Sequence, residues 1–138
     1  MYRRVLMTGG LGFIGSSISE FLLQRGSHVK IIDSKVSNVI ETEYLLEKYG
    51  SVEIVQSSIS NYFTDGLDFS DYDLLIHAAS LVGPAALLDY PGVIGQEIVS
   101  ATAKIVQTCL QSDVPLLYFS SAEVYGKSGM LGEDSDIR

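Results

Sequence analysis

The sequence predicts an α/β fold in which helices cover both faces of a parallel β-sheet. The first observation is a set of five short runs rich in Val, Ile and Leu, at 4–8, 28–33, 52–56, 73–79 and 115–120. The second is that hydrophobicity within the runs is continuous rather than alternating, as expected of strands that are covered on both faces. The third is that helical patterns separate the runs, as helical crossovers between parallel strands require.

The first run leads into a glycine-rich turn. The turn reads Thr8-Gly9-Gly10-Leu11-Gly12-Phe13-Ile14-Gly15. We expect Gly9 to adopt backbone angles closed to other residues, Gly12 to leave room for a pyrophosphate, and Gly15 to let the next helix lie close to the strand. The phosphates would meet the free amides of a helix N-terminus, where Phe13 and Ile14 lie. A structural glycine turn is the alternative, but the position between a strand and a helix favours dinucleotide binding.

The second run ends in Asp33, about 20 residues beyond the glycine turn. A carboxylate at this distance typically accepts hydrogen bonds from a ribose of a bound dinucleotide. The carboxylate would also repel the 2′-phosphate of NADP, so Asp33 favours NAD over NADP. Lys35 is positively charged and lies nearby, so NADP is the alternative cofactor. The alternative is that Asp33 caps the turn that follows its strand.

We predict three helices between the strands. The first spans Ile14 to Leu23, ends at a left-handed cap on Gly26, and buries an apolar face that comprises Ile14, Ile18, Phe21 and Leu22. The second spans about 38–49. The third spans 91–111, with a face at helical spacing that comprises Ile94, Ile98, Ala101, Ile105 and Thr108. Residues 61–71 are expected to be polar and irregular, and 126–138 to form a loop.

Small and polar residues follow the fourth and fifth strands. The fourth ends in His77-Ala78-Ala79-Ser80 and the fifth in Ser120-Ser121-Ala122-Glu123-Val124-Tyr125-Gly126. Both ends would lie at the carboxyl edge of the sheet, beside the glycine turn. There Ala78 and Ala79 would let a cofactor pass close to the backbone, while Ser121 and Glu123 offer hydrogen-bonding and acid/base groups. We interpret His77 as structural; a Ser121 hydroxyl bonded to its own backbone and a solvent-facing Glu123 are the alternatives.

These residues resemble the extended short-chain dehydrogenases, and among them the nucleotide-sugar epimerases and dehydratases. Four signatures occur in the order of that family: the glycine turn, Asp33, the stretch from Asp73 to Ala79, and the stretch from Ser120 to Gly126. The resemblance implies a Rossmann-type, doubly wound parallel sheet and a nucleotide-sugar substrate. It also implies tightly held NAD, which removes a hydride from a sugar ring and later returns it.

The resemblance further implies roles for individual residues. Ser121 would hydrogen-bond the sugar hydroxyl that is oxidised, and Glu123 stands where related dehydratases and decarboxylases often carry a catalytic glutamate. Ser58 and Ile59 follow the third strand, where many relatives have an aspartate near the adenine, so that contact is weaker or is made by the backbone. Ala122 replaces an aspartate of some 4,6-dehydratases, which counts against that reaction. The turn at 80–84 would contact the substrate or the nicotinamide.

The family also uses a Tyr-x-x-x-Lys pair, in which the lysine lowers the pKa of the tyrosine. That pair normally follows the loop that here contains Gly132-Glu133-Asp134, and the only such spacing in this sequence is Tyr44 to Lys48. We interpret Tyr44 and Lys48 as surface neighbours on a helix. We therefore expect 1–138 to be the NAD-binding domain of a longer enzyme, truncated before the C-terminal substrate domain and inactive alone. The alternative is a catalytically inactive module that senses NAD or binds a partner.

The composition and net charge of the chain further restrict its expected partners and location. The chain has 138 residues and a formal net charge of −8 that is spread along it, so nucleic acid is not an expected partner. Cys109 is the only cysteine, which leaves no internal disulfide and no cysteine-rich metal site. No apolar stretch approaches the roughly 18 residues of a membrane span, and no signal peptide is recognised. We therefore expect a cytoplasmic location and no membrane or metal partner.

The resemblance also allows a homodimer, formed through helices beside the fourth and fifth strands. Parts of 91–111 would then lie at the interface, although packing on the sheet explains the apolar face of that helix equally well. The fifth strand, from Leu116 to Ser120, would form an exposed apolar edge unless another strand or a partner covers it.

Overall fold

The computed structural model describes residues 2–35, 39–64, 66–80 and 91–125. The strands in these ranges are β1 (Arg4–Thr8), β2 (His28–Asp33), β3 (Val52–Gln56), β4 (Leu74–His77) and β5 (Leu116–Tyr118). They pair in parallel to form one sheet in the order β3-β2-β1-β4-β5. The strand order reverses between β1 and β4, which is where open α/β sheets bind their ligands.

The helices in the described ranges lie on both faces of the sheet. They are α1 (Phe13–Gln24), α2 (Thr42–Lys48), α3 (Ile59–Tyr62) and α4 (Pro91–Ser112), and a 3-10 helix spans Ala122–Tyr125. On one face, Leu23 of α1 and Leu45 of α2 pack in the same core cluster as Met7 of β1. On the other face, α3 and α4 cover the sheet, and Ile105 packs with Leu6. The predicted doubly wound parallel sheet is therefore confirmed.

β1 shows why the strands have continuous apolar sequences. Successive side chains of a strand point to opposite faces of the sheet. Val5 and Met7 enter the core cluster beneath α1, whereas Leu6 enters the cluster beneath α4, and all three are fully buried. Because each such side chain contributes about 2 kcal/mol when it leaves water, a strand covered on both faces is stabilised by apolar residues at consecutive positions.

α1 buries only part of the predicted face. Ile14 is 51% and Phe21 52% exposed, so the prediction that both face the core is wrong. The buried residues are Gly15, Ser16, Ser19 and Leu23, with Ile18 and Leu22 partly buried against the core. Ser19 donates a hydrogen bond to the Gly10 carbonyl, so α1 approaches the glycine turn too closely for large side chains on this face. The predicted helix end is confirmed, because Gly26 has a φ of 81° and its N–H bonds the Leu23 carbonyl.

The other predicted elements differ mainly at their ends. α2 begins at Thr42 rather than at 38, because residues 39 and 40 bend and donate their N–H groups to the Leu11 carbonyl; 36–38 lie outside the described residues. β4 and β5 are shorter than the predicted 73–79 and 115–120, since their strand pairing ends at His77 and Tyr118. The predicted face of α4 is confirmed: Ile94, Ala101, Ile105 and Thr108 are buried, and Ile98 is partly buried.

Residues 61–64 and 66–71 bury more apolar surface than the sequence predicts. They include the end of α3 and two buried aromatic residues, Phe63 and Phe69, whose ring centroids lie 5.5 Å apart. Both belong to the core cluster beneath α4, and Tyr62 and Tyr72 pack beside them. The prediction missed α3 because four residues are too few to show a helical period.

Three further expectations concern single features. No helix in the described ranges has both the length and the apolarity that crossing a membrane requires. Cys109 is a free and buried thiol in the cluster beneath α4. The predicted loop at 126–138 lies outside the described residues.

Candidate cofactor site

The glycine turn closes the carboxyl end of β1 against β2. Gly9 has a φ of 71°, a left-handed conformation that glycine adopts without steric cost, as the sequence predicts. Its N–H donates to the Ile32 carbonyl at 2.9 Å, and the Leu11 N–H donates to Oδ2 of Asp33 at 3.0 Å. The turn is therefore tied to the end of the neighbouring strand by one backbone and one side-chain hydrogen bond.

Three glycines of the turn pack against protein atoms. A Cβ on Gly9 would lie 2.6 Å from the backbone of Ala79, and one on Gly10 would lie 2.8 Å from the Ile31 side chain. A Cβ on Gly15 would lie 1.9 Å from the Gly9 carbonyl oxygen, so Gly15 lets α1 approach the turn itself rather than the strand. The need for glycine at position 10 was not predicted, because it depends on the Ile31 side chain of β2.

Gly12 differs from the other three. A Cβ at this position would meet the Gly9 carbonyl oxygen at 3.5 Å, an ordinary contact, and the backbone is extended with φ −75° and ψ −179°. Gly12 is the N-cap of α1, and the amides that follow it, on Phe13 and Ile14, precede the first intrahelical hydrogen bond of the helix. These donors lie at the positive end of the helix dipole. A glycine that the protein itself does not require, beside such donors, fits a site for a pyrophosphate.

Asp33 accepts two backbone hydrogen bonds at the end of β2. Oδ2 accepts the Leu11 N–H, and Oδ1 accepts the Lys35 N–H at 2.8 Å, so the turn-capping contact that the sequence allowed does form. Lys35 itself has a φ of 59°, and this hydrogen bond holds it in that conformation. Each carboxylate oxygen has a second lone pair. Asp33 can therefore cap its turn and still accept hydrogen bonds from a ribose.

The chain after β4 forms the other wall of the turn. The Ala78 N–H donates to the Thr8 carbonyl at 3.1 Å, and Ala79 lies against Gly9. Ala78 and Ala79 are both partly exposed. The fold thus brings together the glycine turn and the two alanines, as expected for the carboxyl edge of neighbouring strands. Residues 81–84, which were expected to contact substrate, lie outside the described residues.

The residues after β3 reach the same edge. The Ser57 N–H donates to the Asp33 carbonyl at 3.0 Å, which places Ser58 beside the end of β2. The Ser58 hydroxyl accepts the Asn61 N–H at 3.2 Å as the N-cap of α3. Ile59 packs against the core cluster beneath α4. The side chains of Ser58 and Ile59 therefore both have contacts within the protein.

Ser121 leaves the sheet at this edge as well. The Phe119 N–H donates to the His77 carbonyl at 3.1 Å, so the chain after β5 runs beside the chain after β4. Ser121 is exposed, and its carbonyl accepts the Val124 N–H at 3.2 Å where the 3-10 helix begins. Glu123 lies within that helix, and its side chain is outside the described part of the structure.

His77 lies in the core beneath this edge. Its Nδ1 is 2.7 Å from Oγ1 of Thr8, and its Nε2 is 3.5 Å from Oγ1 of Thr102 in α4. Burial lowers the pKa of His77, which favours the neutral imidazole. These contacts fit the predicted structural role. The two threonines were not predicted, although Thr102 follows the buried Ala101 on the sheet side of α4.

The Tyr44–Lys48 pair lies on the outer surface where α1 meets α2. The Lys48 ammonium donates to the Tyr44 hydroxyl and, at 3.1 Å, to Oε1 of Glu20 in α1. The hydrogen bonds that the Lys48 ammonium donates to Tyr44, Tyr49 and Glu20 raise the pKa of Lys48. A lysine whose charge is already paired with Glu20 is poorly suited to lower the pKa of a tyrosine base. This geometry supports the interpretation of the pair as surface neighbours.

A cleft of about 470 Å³ lies at the opposite edge of the sheet, where the strands begin. Its charged groups are already paired: Lys30 with Glu53 at 2.8 Å, and Arg4 with Asp71 at 3.3 Å. The cleft is distant from the glycine turn along the strands, and among its described lining residues Arg4, Lys30 and Glu53 are each paired. In the described ranges, no three His, Cys, Asp or Glu residues are grouped so as to hold a metal ion.

Comparison with known sequences agrees with this geometry. The model of the NAD dependent epimerase/dehydratase family matches residues 5–137. A UDP-N-acetyl-alpha-D-glucosaminuronate decarboxylase of Bacillus cytotoxicus is 30% identical over 137 residues, which are 99% of this chain and 42% of the relative. The chain spans about two fifths of the length of the curated relatives that it matches.

Solved structures show the same likeness. A UDP-N-acetylglucosamine 4-epimerase from Methanobrevibacter ruminantium, solved with UDP-N-acetylmuramic acid, has a TM-score of 0.82 and 27% identity, over 99% of this chain and 44% of that protein. MoeE5, solved with UDP-glucuronic acid and NAD, has a TM-score of 0.76 and 27% identity, over 98% of this chain and 42% of that protein. Each likeness covers nearly all of this chain and less than half of the solved protein.

Proposed function

The chain belongs to the NAD-dependent epimerase/dehydratase family, and we propose that it forms the NAD-binding part of a nucleotide-sugar epimerase or dehydratase. Residues 1–138 would constitute the Rossmann domain of that enzyme. The observation that carries the proposal is Gly12, where a Cβ would meet only ordinary contact with the protein, next to the amides that begin α1. The space in front of Gly12 and the donors beside it are what a pyrophosphate needs.

The proposed contacts to NAD come from the carboxyl edge of four strands. The glycine turn would bind the pyrophosphate, Asp33 a ribose, and the segment after β3 the adenine, while the segment after β4 would let the cofactor pass close to the backbone. The proposed residues are Gly9, Gly12, Phe13, Ile14, Gly15, Asp33, Ser58, Ile59, Ala78 and Ala79. The sheet order supports this set, because it places the ends of β3, β2, β1 and β4 side by side.

Asp33 is the proposed determinant of the choice between NAD and NADP. Its carboxylate carries a negative charge at the end of β2, and both oxygens are held in place by backbone N–H groups. A 2′-phosphate in its vicinity would be repelled. Asp33→Asn removes the charge, so the ratio of the NADP to the NAD dissociation constant is expected to fall several-fold. An unchanged ratio would exclude Asp33 as the determinant.

The chemistry that NAD supplies when bound is reversible hydride transfer with a ring carbon of the sugar. Ser121 is proposed to accept or donate a hydrogen bond at the sugar hydroxyl that reacts, since it is exposed at the carboxyl edge of β5. Glu123 is proposed as an acid/base group two residues further on. Uridine diphosphate sugars are the proposed substrates, because the relatives described above carry them in their names or in their solved complexes.

The nucleotide that accompanies the purified full chain tests the proposal directly. Protein is denatured, and the released nucleotide is identified by chromatography and mass spectrometry; NAD is the expected result. Gly12→Val should abolish this occupancy, because its side chain would fill the space in front of the α1 amides. Gly50→Val is the matched control, since no atom lies within 4 Å of a Cβ there and it is at the opposite edge of the sheet. Equal NAD content in all three proteins would overturn the proposal.

A second copy of this chain is the proposed partner. The outer face of α4 carries Val99, Ala103, Val106 and Leu110, all exposed, with Val99 at 70% and Leu110 at 78%. Their spacing of four, three and four residues forms one apolar stripe, which is the pattern that packs against another helix. The stripe is separate from the face that packs on the sheet, so a dimer contact and the sheet contact do not compete for the same residues.

The alternative function is a module that binds NAD and a protein partner without turnover. In this case the protein partner would cover the edge of the sheet at β5, where Leu117 and Tyr118 are 47% and 45% exposed. Steady conversion of a UDP-sugar by the NAD-loaded full chain would exclude this alternative. Stoichiometric NAD without any conversion of UDP-glucose, UDP-N-acetylglucosamine or UDP-glucuronic acid would favour it only in a protein that includes the proposed C-terminal substrate domain, because the Rossmann domain alone is expected to be inactive.

A further inference from the structure

Both ring nitrogens of His77 reach neighbouring elements. Nδ1 lies 2.7 Å from Oγ1 of Thr8, the last residue of β1, and Nε2 lies 3.5 Å from Oγ1 of Thr102 in α4. Thr8 is 0% and His77 4% exposed, and the Tyr118 ring of β5 packs 5.4 Å from the imidazole. A hydrogen bond in such a low-dielectric environment is stronger than one in water, and breaking it leaves a buried polar group unpaired.

Thr8 and His77 each adjoin a residue of the proposed NAD site. Thr8 precedes Gly9, and His77 precedes Ala78. The Ala78 N–H already donates to the Thr8 carbonyl at 3.1 Å, and Gly9 lies against Ala79. The side-chain hydrogen bond is therefore a second tie between the two segments that form the walls of the site. Without it, the ties between these walls in the described part of the chain would be the strand pairing, one backbone hydrogen bond and the packing of Gly9 against Ala79.

We propose that His77 is a positioning residue for the cofactor, which fixes the Gly9 turn against Ala78 and Ala79 through Thr8 and anchors both to α4 through Thr102. This inference rests on the proposed binding of NAD. His77 acts through the backbone of its neighbours and does not itself contact the cofactor. Because the hydroxyls of both threonines can donate or accept, either neutral tautomer of the imidazole satisfies the two contacts.

A simple packing role for the ring makes different predictions from a positioning role. His77→Phe keeps an aromatic ring beside Tyr118 but removes both nitrogens. His77→Asn places a polar atom where Nδ1 lies, facing Thr8, whereas His77→Gln places one near the position of Nε2. Thr8→Val keeps the shape and the branched Cβ of a strand residue and removes only the hydroxyl. This variant breaks the same hydrogen bond from the other side without altering His77.

The experiment measures the NAD dissociation constant of the full chain by calorimetric titration, after removal of bound nucleotide and at a temperature where circular dichroism shows each variant folded. His77→Phe and Thr8→Val are expected to weaken binding roughly tenfold each. The double variant should be no weaker than His77→Phe alone, because the hydrogen bond that Thr8→Val removes is already absent in His77→Phe. His77→Asn should stay within about threefold of the native protein, and His77→Gln should resemble His77→Phe.

Several outcomes would overturn the inference. Native affinity in His77→Phe or in Thr8→Val would do so, as would additive losses in the double variant. Rescue by Gln but not by Asn would show that the hydrogen bond to Thr8 is not the determinant. If His77→Phe does not fold, Thr8→Val alone decides. Loss of binding in Gly12→Val with native binding in Thr8→Val and His77→Phe overturns this inference and leaves the proposed function intact, whereas a native protein that binds no NAD overturns both.

Discussion

The glycine turn and the outer side of α4 and β5 differ in how completely the described protein surrounds them. At the turn, protein atoms exclude even a methyl group at Gly9, Gly10 and Gly15. At α4 and β5, Leu110 is 78% and Leu117 47% exposed, although both are large and apolar. The turn is therefore a tightly packed shape that is open in front of Gly12, where a small polar ligand would fit. The other region is an apolar surface of the kind that contacts protein.

The largest effect is expected where the turn is packed most tightly. Gly15→Ala would bring its Cβ within 1.9 Å of the Gly9 carbonyl oxygen, an overlap that the backbone of both residues would have to relieve. We expect the free energy of unfolding to fall by about 3 kcal/mol or more. Gly12→Ala, where the nearest contact is 3.5 Å, should change it by less than about 1 kcal/mol. Urea denaturation of both variants measures the difference, and equal stabilities would refute the contrast among the glycines.

A charged substitution on the apolar surface of α4 should change the oligomeric state of the protein rather than the stability of the monomer. Leu110→Asp is expected to convert a dimer of the full chain to a monomer, because it puts a charge into the stripe on α4. Stability of the monomer should change by no more than about 0.5 kcal/mol, since Leu110 is exposed. Leu46→Asp on α2, where the leucine is 49% exposed, is the matched control and should remain a dimer. Light scattering measures the mass, and a native monomer would contradict the proposed interface.

His77, which is buried beneath the candidate cofactor site, should make the free energy of unfolding depend on pH. The pKa of His77 lies below its ordinary value of 6.5 in the folded protein. Between that lowered pKa and pH 6.5, the unfolded chain binds more protons, so the free energy of unfolding falls as the pH is lowered. His77→Phe should remove this dependence, whereas Thr102→Val leaves the ring buried and should keep it. Thermal melts across pH 5 to 7 in the native protein and both variants measure the effect, and a dependence that survives in His77→Phe would have another origin.

The smallest effect is expected at the edge of the sheet opposite the turn. Asp73 belongs to a signature of the family, yet its Oδ2 accepts the Arg3 N–H at 2.6 Å and the Arg4 N–H at 2.9 Å, which lowers its pKa from the usual 3.8. The contribution of Asp73 is therefore present above pH 3.8 and is lost as the pH falls through the lowered value. Asp73→Asn should flatten the acid limb of stability without changing NAD affinity. A change in NAD affinity would place Asp73 in a functional role that the geometry does not support.

Sequence reasoning identified most elements, because each has a local signal. The strand runs and the long face of α4 come from periodicity, and the end of α1 comes from the preference of Gly26 for a left-handed angle. It failed where tertiary contact overrode that signal. Ile14 and Phe21 continue an apolar pattern, but α1 lies so close to the turn that Ser16 and Ser19 face the core instead.

The candidate site divides in the same way. Which residues belong to the site could be predicted from the motifs and from their position after each strand, because the carboxyl ends of parallel strands share one edge of the sheet. What each member touches does not follow from motif. Asp33 binds two backbone amides, and Ser58 caps a helix that the pattern did not reveal. The identity of the ribose and substrate contacts stays a prediction.

The sequence by itself determined the order along the chain of the five strands and of α1, α2 and α4, and the position of the glycine turn, because backbone preferences and hydrophobic periods act over a few neighbouring residues. Only the tertiary structure decided which glycines face protein and which faces open space. It also decided that His77 bonds Thr8 and Thr102, residues 69 and 25 positions away along the chain. Such contacts form between elements that are far apart in the sequence. They depend on how those elements pack, so no pattern of neighbouring residues predicts them.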